Sequence, residues 1–270
     1  MKFSGLAISN IAWPAGDDTE ALDLVAAAGF TGVEVAPART FGDWDALDLA
    51  QVRRTAADFA ARGLPIVAMQ AITFGVHGIR LFGSPAEREA LARHLRRVAE
   101  IAGACGGVPC VFGAPAIRDP GDIPANAALE RAADFLARIA PSFAANRSSL
   151  AFEAVPSAYH CRFVTHTGAA VALVRRIASP GLGLQIDAGT VLLNEEPLAI
   201  LAEATPLAVH CHASAPHLAP VAPYAGAHAR LAMMLRSAGW RGWVSVEMRT
   251  APDWRSAIAE AGIAMREAWL

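Results

Sequence analysis

Short apolar or β-branched runs alternate with longer Ala-, Leu- and Arg-rich stretches of helical period, and the alternation runs the length of the chain. The short runs predict strands over 2–10, 32–37, 65–73, 108–115, 149–156, 181–190, 208–214 and 243–249. The longer stretches predict helices over 18–29, 47–63, 85–105, 124–146, 168–178, 197–204, 225–239 and 254–269. Local punctuation agrees. Ser84-Pro85-Ala86-Glu87 reads as a cap followed by proline in the first turn, and Gly29, Gly63 and Gly239 stand where a helix must stop before the next strand. Strand-then-helix units, eight in 270 residues, predict an α/β fold, one (β/α)8 TIM barrel spanning residues 1–270 as a single domain; about 250 residues is typical of that fold. An open doubly wound sheet uses the same units but needs a glycine fingerprint after its first strand. Ser9-Asn10-Ile11-Ala12-Trp13-Pro14 carries none. The loop-like segments 120–124 and 216–223 are too short to divide the chain.

Composition narrows the function. With 54% hydrophobic and 18% charged residues and a net charge of −2, the chain is neither disordered nor fibrous. Lys2 is its only lysine, which removes Schiff-base chemistry unless the N-terminus lines the site. The absence of a basic block removes nucleic acid as a partner. Cys105, Cys110, Cys161 and Cys211 form no CxxC spacing and read as buried thiols in a reducing compartment. The N-terminal residues do not resemble a signal peptide and no apolar run of ~20 residues exists, so no membrane association and a cytoplasmic address are expected.

In a barrel, function sits where the strands end, and residues of one parity point inward. Four late strands carry charge on one parity and apolar residues on the other. Glu153 is the lone charge in Leu150-Ala151-Phe152-Glu153-Ala154-Val155; Gln185 and Asp187 alternate with Leu184, Ile186 and Ala188; His210 and His212 alternate with Val209 and Cys211; Ser245, Glu247 and Arg249 alternate with Val244, Val246 and Met248. Unpaired carboxylates in a low-dielectric barrel mouth cost several kcal/mol each. A divalent cation held by three carboxylates and one imidazole compensates them. The oxygen-rich set suits Mn²⁺ or Mg²⁺, and the histidine admits Co²⁺ or Zn²⁺. Arginines such as Arg249 are the other way to neutralise these acids, with both histidines then satisfied in the core; four such residues at matching depth on consecutive strands favour the ion.

With these motifs the chain resembles the xylose isomerase-like TIM-barrel superfamily, the sugar phosphate isomerases and epimerases, over essentially its whole length. The resemblance is carried by Gly29-Phe30-Thr31-Gly32-Val33-Glu34-Val35-Ala36, Phe152-Glu153-Ala154-Val155-Pro156, Ile186-Asp187-Ala188-Gly189, Val209-His210-Cys211-His212 and Ser245-Val246-Glu247-Met248-Arg249, in that order. It is similar to ketose 3-epimerases, hydroxypyruvate isomerases and inosose dehydratases. The resemblance implies a metal bound by Glu153, Asp187, His212 and Glu247, and selects His212 over His210. It also implies proton transfer through a metal-stabilised enediolate, with Glu153 and Glu247 as acid and base, on a small sugar or polyhydroxy carbonyl compound.

At two positions where the epimerases grip their sugar, with a histidine and an arginine, this chain has Thr190 and Leu218. Candidates to line the substrate instead are Glu34, Gln70, His160, Arg162, His210, His217 and Arg249, with Asn10 and Trp13 also at early strand ends. The loops 213–223 and 250–253 lack a glycine-rich turn, so no phosphate site is expected. The alternative is a dehydratase of an inosose- or dehydroshikimate-like compound, with His160 or His217 protonating the leaving hydroxyl; a barrel that binds without turnover is the third reading. A homo-oligomer, dimer or tetramer, is expected.

Overall fold

The computed structural model describes residues 3–44 and 46–270. Lys2, placed by the sequence in the first strand, lies outside them. Each predicted strand forms, all but β7 trimmed at one or both ends: β1 Gly5–Ser9, β2 Gly32–Val35, β3 Ile66–Met69, β4 Cys110–Phe112, β5 Leu150–Glu153, β6 Leu182–Asp187, β7 Ala208–Ser214 and β8 Trp243–Glu247. Each pairs in parallel with the next and β8 pairs with β1, closing a barrel in sequence order. The chain is thus a (β/α)8 TIM barrel, as the pattern predicts.

The helices are α1 Asp18–Ala27, α2 Pro37–Phe41, α3 Leu49–Ala61, α4 Pro85–Ala104, α5 Ala125–Ala145, α6 Thr167–Ile177, α7 Ala188–Leu193, α8 Ile200–Ala204, α9 Ala225–Ser237 and α10 Trp254–Trp269. Ser84 caps α4: its hydroxyl accepts the Glu87 N–H while the Glu87 carboxylate accepts the Ser84 N–H. Two short helices were not in the sequence pattern. The strand predicted over 181–190 stops at Asp187, whose carboxylate accepts the Thr190 N–H and starts α7. Its apolar residues continue the hydrophobicity of β6, which hides the break. Similarly, Pro37, the last residue of the predicted second strand, opens α2, and β2 stops at Val35.

One parity of each strand faces the helices. Leu6, Ile8, Val33, Phe112, Phe152 and Val246 are fully buried in a core shared with Leu95, Leu136 and Ile258 of the helices. At the N-terminal end of β8 the half-buried Trp243 ring lies against β1 and β2. A Cβ on Gly5 would meet it at 2.2 Å, and one on Gly32 would meet Val67 at 2.7 Å and the ring at 3.1 Å, so a side chain at either position would displace its neighbours. No helix among the described residues is long and apolar enough to cross a membrane.

Candidate metal centre

Strand register brings the inward polar residues together. Asp187 pairs with His212 across β6 and β7; His212 pairs with Ser245, and Ser214 with Glu247, across β7 and β8. Glu153 closes the other side from the end of β5. His212 Nδ1 lies 3.1 Å from Glu247 Oε2, 3.6 Å from Glu153 Oε1 and 3.8 Å from Asp187 Oδ2. The imidazole is 1% exposed and the three carboxylate side chains are 11–14% exposed. This nitrogen is fully buried and hydrogen-bonded to none of them. One ligand atom each from Glu153, Asp187 and His212 falls within a 4.8 Å span. A buried, unpartnered imidazole nitrogen facing carboxylates has the chemistry a divalent cation takes, and Glu153, Asp187 and His212 have the spacing to fit one.

The other ring nitrogen is held from below. His212 Nε2 is 3.0 Å from Glu34 Oε1. Glu34 Oε2 lies 3.6 Å from His210 Nε2, which is 2.9 Å from Ser245 Oγ. Asp187 is oriented by the Thr190 N–H at 2.5 Å and by the Ser214 hydroxyl, whose oxygen also accepts the Gly189 N–H at 2.8 Å.

The protonation equilibria of the cluster are displaced accordingly. Burial, reinforced by the charges of Asp187 and Glu247, pushes Glu153 up to about 7 from the ordinary 4.5, against the pull of His212. Burial likewise raises Glu247. For His212 burial opposes the charged form, but the carboxylates of Glu34 and Glu247 outweigh it and raise the ring well above its ordinary value. Burial would raise Glu34, yet the two imidazoles hold it below the carboxylate range. His210, desolvated, is lowered.

A cavity of about 220 Å³ opens above the cluster, lined by Glu153, Asp187 and Glu247 with Tyr159, Thr190, Ser214, Leu218 and Arg249 among others. A second of about 270 Å³ shares Gly113, Ala114, Glu153 and Glu247 with it and continues along Gln70–Phe74. Together they form a small-molecule cleft at the C-terminal ends of the strands.

Of the predicted substrate residues, Arg249 lines the first cavity and Gln70 the second. Gln70 also donates from its amide to Ser9 Oγ. Glu34 and His210 have inward parity but lie one layer lower, fully buried, and reach neither cavity. His160, Arg162 and His217 line neither cavity. His160 ends a short turn in the left-handed region, Arg162 pairs with Asp119 at 3.4 Å, and exposed His217 packs edge-on against Tyr159. Asn10 and Trp13 are structural: Asn10 Oδ1 accepts the Ala36 N–H at 2.9 Å, and the Trp13 indole donates to Asp18 at 2.7 Å.

Sequence reasoning missed Tyr159 and Ser214. Tyr159 stands in an aperiodic loop, and its hydroxyl accepts the His217 N–H at 2.6 Å. Ser214 was signalled only by its parity with His210 and His212.

Solved structures of similar fold include an L-ribulose 3-epimerase (17% identity, 99% of this chain and 96% of that one, TM-score 0.78). Others are D-psicose 3-epimerase from Clostridium cellulolyticum H10, solved with D-tagatose (13%, 98% and 99%, 0.77), and 3-keto-D-glucoside 4-epimerase from E. coli (17%, 97% and 99%, 0.75). Comparison with curated protein sequences gives no match. The family profile described as xylose isomerase-like TIM barrel matches residues 22–268. With the closed barrel and that match over nearly its full length, the chain belongs to the xylose isomerase-like TIM barrel family.

Proposed function

We propose that this protein is a divalent-metal-dependent isomerase or epimerase of a small sugar or related polyhydroxy carbonyl compound. One observation carries the reading: the unpartnered Nδ1 of His212 facing Glu153, Asp187 and Glu247 at the floor of the cleft. These four residues would hold the ion, with Mn²⁺, Mg²⁺ or Co²⁺ suited to the carboxylates and Zn²⁺ to the histidine. The ion would supply a Lewis acid for a carbonyl and its neighbouring hydroxyl. The likeness of the fold to that of sugar 3- and 4-epimerases supports the same class of substrate.

The chain's own residues supply the proton transfers. Glu153 and Glu247 stand on strands three apart around the barrel and both border the two cavities, so they reach a bound substrate from different sides. One carboxylate removes the proton from the carbon next to the carbonyl, and the other returns a proton to it, inverting the centre; return to the neighbouring carbon gives isomerisation. Arg249 and Tyr159 line the cavity wall and would bind substrate oxygens. Thr190 and Leu218 also line the cavity. At the places where the sequence resemblance expects histidine and arginine, the wall is therefore a buried threonine, whose hydroxyl donates to the Ala154 carbonyl at 3.2 Å, and an aliphatic leucine. The dehydratase reading needs an acid at a leaving hydroxyl, and the histidines considered for it, His160 and His217, line neither cavity.

The decisive experiment is metal analysis and thermal shift with Mn²⁺, Co²⁺, Mg²⁺ and Zn²⁺, followed by proton–deuterium exchange by NMR in D₂O with a panel of ketoses and inososes. Exchange without loss of water is expected; loss of water would make the protein a lyase. No bound ion and no thermal shift would overturn the reading. Glu153→Gln and Glu247→Gln should each lower turnover about 10²–10⁴-fold, the usual worth of a positioned acid or base. Full activity in either removes that residue from the role.

A further inference from the structure

We infer that Glu34 is the positioning residue of the centre: from β2, across the barrel, its carboxylate fixes the His212 ring with Nε2–H bound and Nδ1 turned to the three carboxylates. The inference rests on the metal-centre reading above and gives it a feature which that reading does not contain. Glu34 is 178 residues from His212 in sequence, fully buried, and interrupts an otherwise apolar strand. No substrate in either cavity can reach it. A carboxylate only accepts hydrogen bonds, so the proton in the 3.0 Å contact belongs to His212 Nε2.

That assignment matters because an imidazole left to itself turns about its terminal torsion and chooses between two tautomers. A turned ring would take its nitrogen away from Glu34 and leave a buried carboxylate oxygen without a donor, which is costly. The arrangement is extended on the far side of Glu34. Its second oxygen has His210 Nε2 at 3.6 Å as an electrostatic neighbour but no hydrogen bond, since His210 Nε2 is directed at Ser245 Oγ, 2.9 Å away. Ser245, His210, Glu34 and His212 thus form a buried polar layer between the apolar barrel floor and the site. A metal-binding histidine held through its other nitrogen by a carboxylate is a general way to fix ring orientation and raise ligand basicity. Glu34, His210 and His212 also satisfy the spacing for a second cation among themselves. Hydrogen-bond lengths on both histidines, one to Glu34 and one to Ser245, favour protons over an ion there.

Histidine-selective ¹⁵N NMR of the wild type, read first without added metal and then with diamagnetic Zn²⁺, tests the assignment. A slowly exchanging His212 Nε2–H is expected in both states, with only Nδ1 changing when the ion binds. Glu34→Gln keeps the size of the side chain and Glu34→Asp keeps its charge but draws it back. Both should shift or lose the Nε2–H signal and weaken Zn²⁺ and Mn²⁺ binding, measured by calorimetry, about 10–100-fold, with circular dichroism reporting that the barrel is intact. Absence of the wild-type Nε2–H signal overturns the inference before any ion is added. Equal ion affinity in Glu34→Gln overturns it too and leaves the metal centre standing, whereas a wild type that binds no ion overturns the functional reading itself. Two ions per chain, the second lost with Glu34, would replace the hydrogen bond by a second cation site.

Discussion

A methyl group added at Gly113 would lie 2.3 Å from Glu153 Oε2. The backbone there needs no left-handed conformation, so Gly113→Ala is expected to fold with little change in Tm while displacing the carboxylate. Mn²⁺ affinity measured by calorimetry should fall at least about tenfold, the lower range seen when support of a ligand is lost; unchanged affinity would show that Glu153 yields without cost. Ser214→Ala should act on Asp187 in the same way, because it removes the hydroxyl that joins that carboxylate to the Gly189 N–H. At this scale the sequence is only partly legible. Glu153, Asp187 and Glu247 announce themselves as charges on an apolar pattern. Gly113 is silent, since its significance is a neighbour 40 residues away that only the barrel brings close. Glu34 announces a charge but not its partner: parity says inward, and depth along the barrel separates a residue facing substrate from one facing another side chain.

Elements were legible where periodicity and punctuation agree. Strand β7 has its predicted bounds, and every other strand loses residues at its ends, where the chain turns over the barrel rim without losing hydrophobicity. The helix predicted over 197–204 shrinks to α8, Ile200–Ala204. Asp187 shows why such ends mislead, for one carboxylate caps α7 and faces His212, and neither task leaves a mark in a hydrophobic pattern. The cap of α4 was visible because its residues are consecutive. Ser84→Ala removes the hydroxyl that accepts the Glu87 N–H and should cost about 1 kcal/mol by chemical denaturation. Metal affinity should not change, because α4 contributes no residue to either cavity. A larger loss of affinity would mean that the helix orders the β3 loop.

Across the whole molecule, the buried charges make stability depend on pH and ion together. Glu153 is raised from 4.5 to about 7, so its contribution to the metal-free protein is full below pH 4.5 and is lost as pH rises through about 7. His212, also raised, adds stability below pH 6.5 that is lost at still higher pH. Glu34, lowered, works in the opposite sense and loses its contribution as pH falls below the ordinary carboxylate range. Metal-free protein should therefore lose Tm between pH 5.5 and 8. Mn²⁺ requires deprotonated ligands and should restore most at the upper end; at a hundredfold excess over Kd the gain is about 2.7 kcal/mol. Scanning calorimetry at both pH values checks this, and a larger gain at pH 5.5 would contradict it. The placement of the centre has an evolutionary corollary. Glu153, Asp187, His212 and Glu247 all come from the second half of the chain, whereas Gln70–Phe74, which wall the adjoining cavity, come from the first. Chimeras that exchange the first half-barrel among family members should keep Mn²⁺ affinity by calorimetry and alter only the part of the cleft walled by Gln70–Phe74, provided the incoming second strand brings a carboxylate to meet His212.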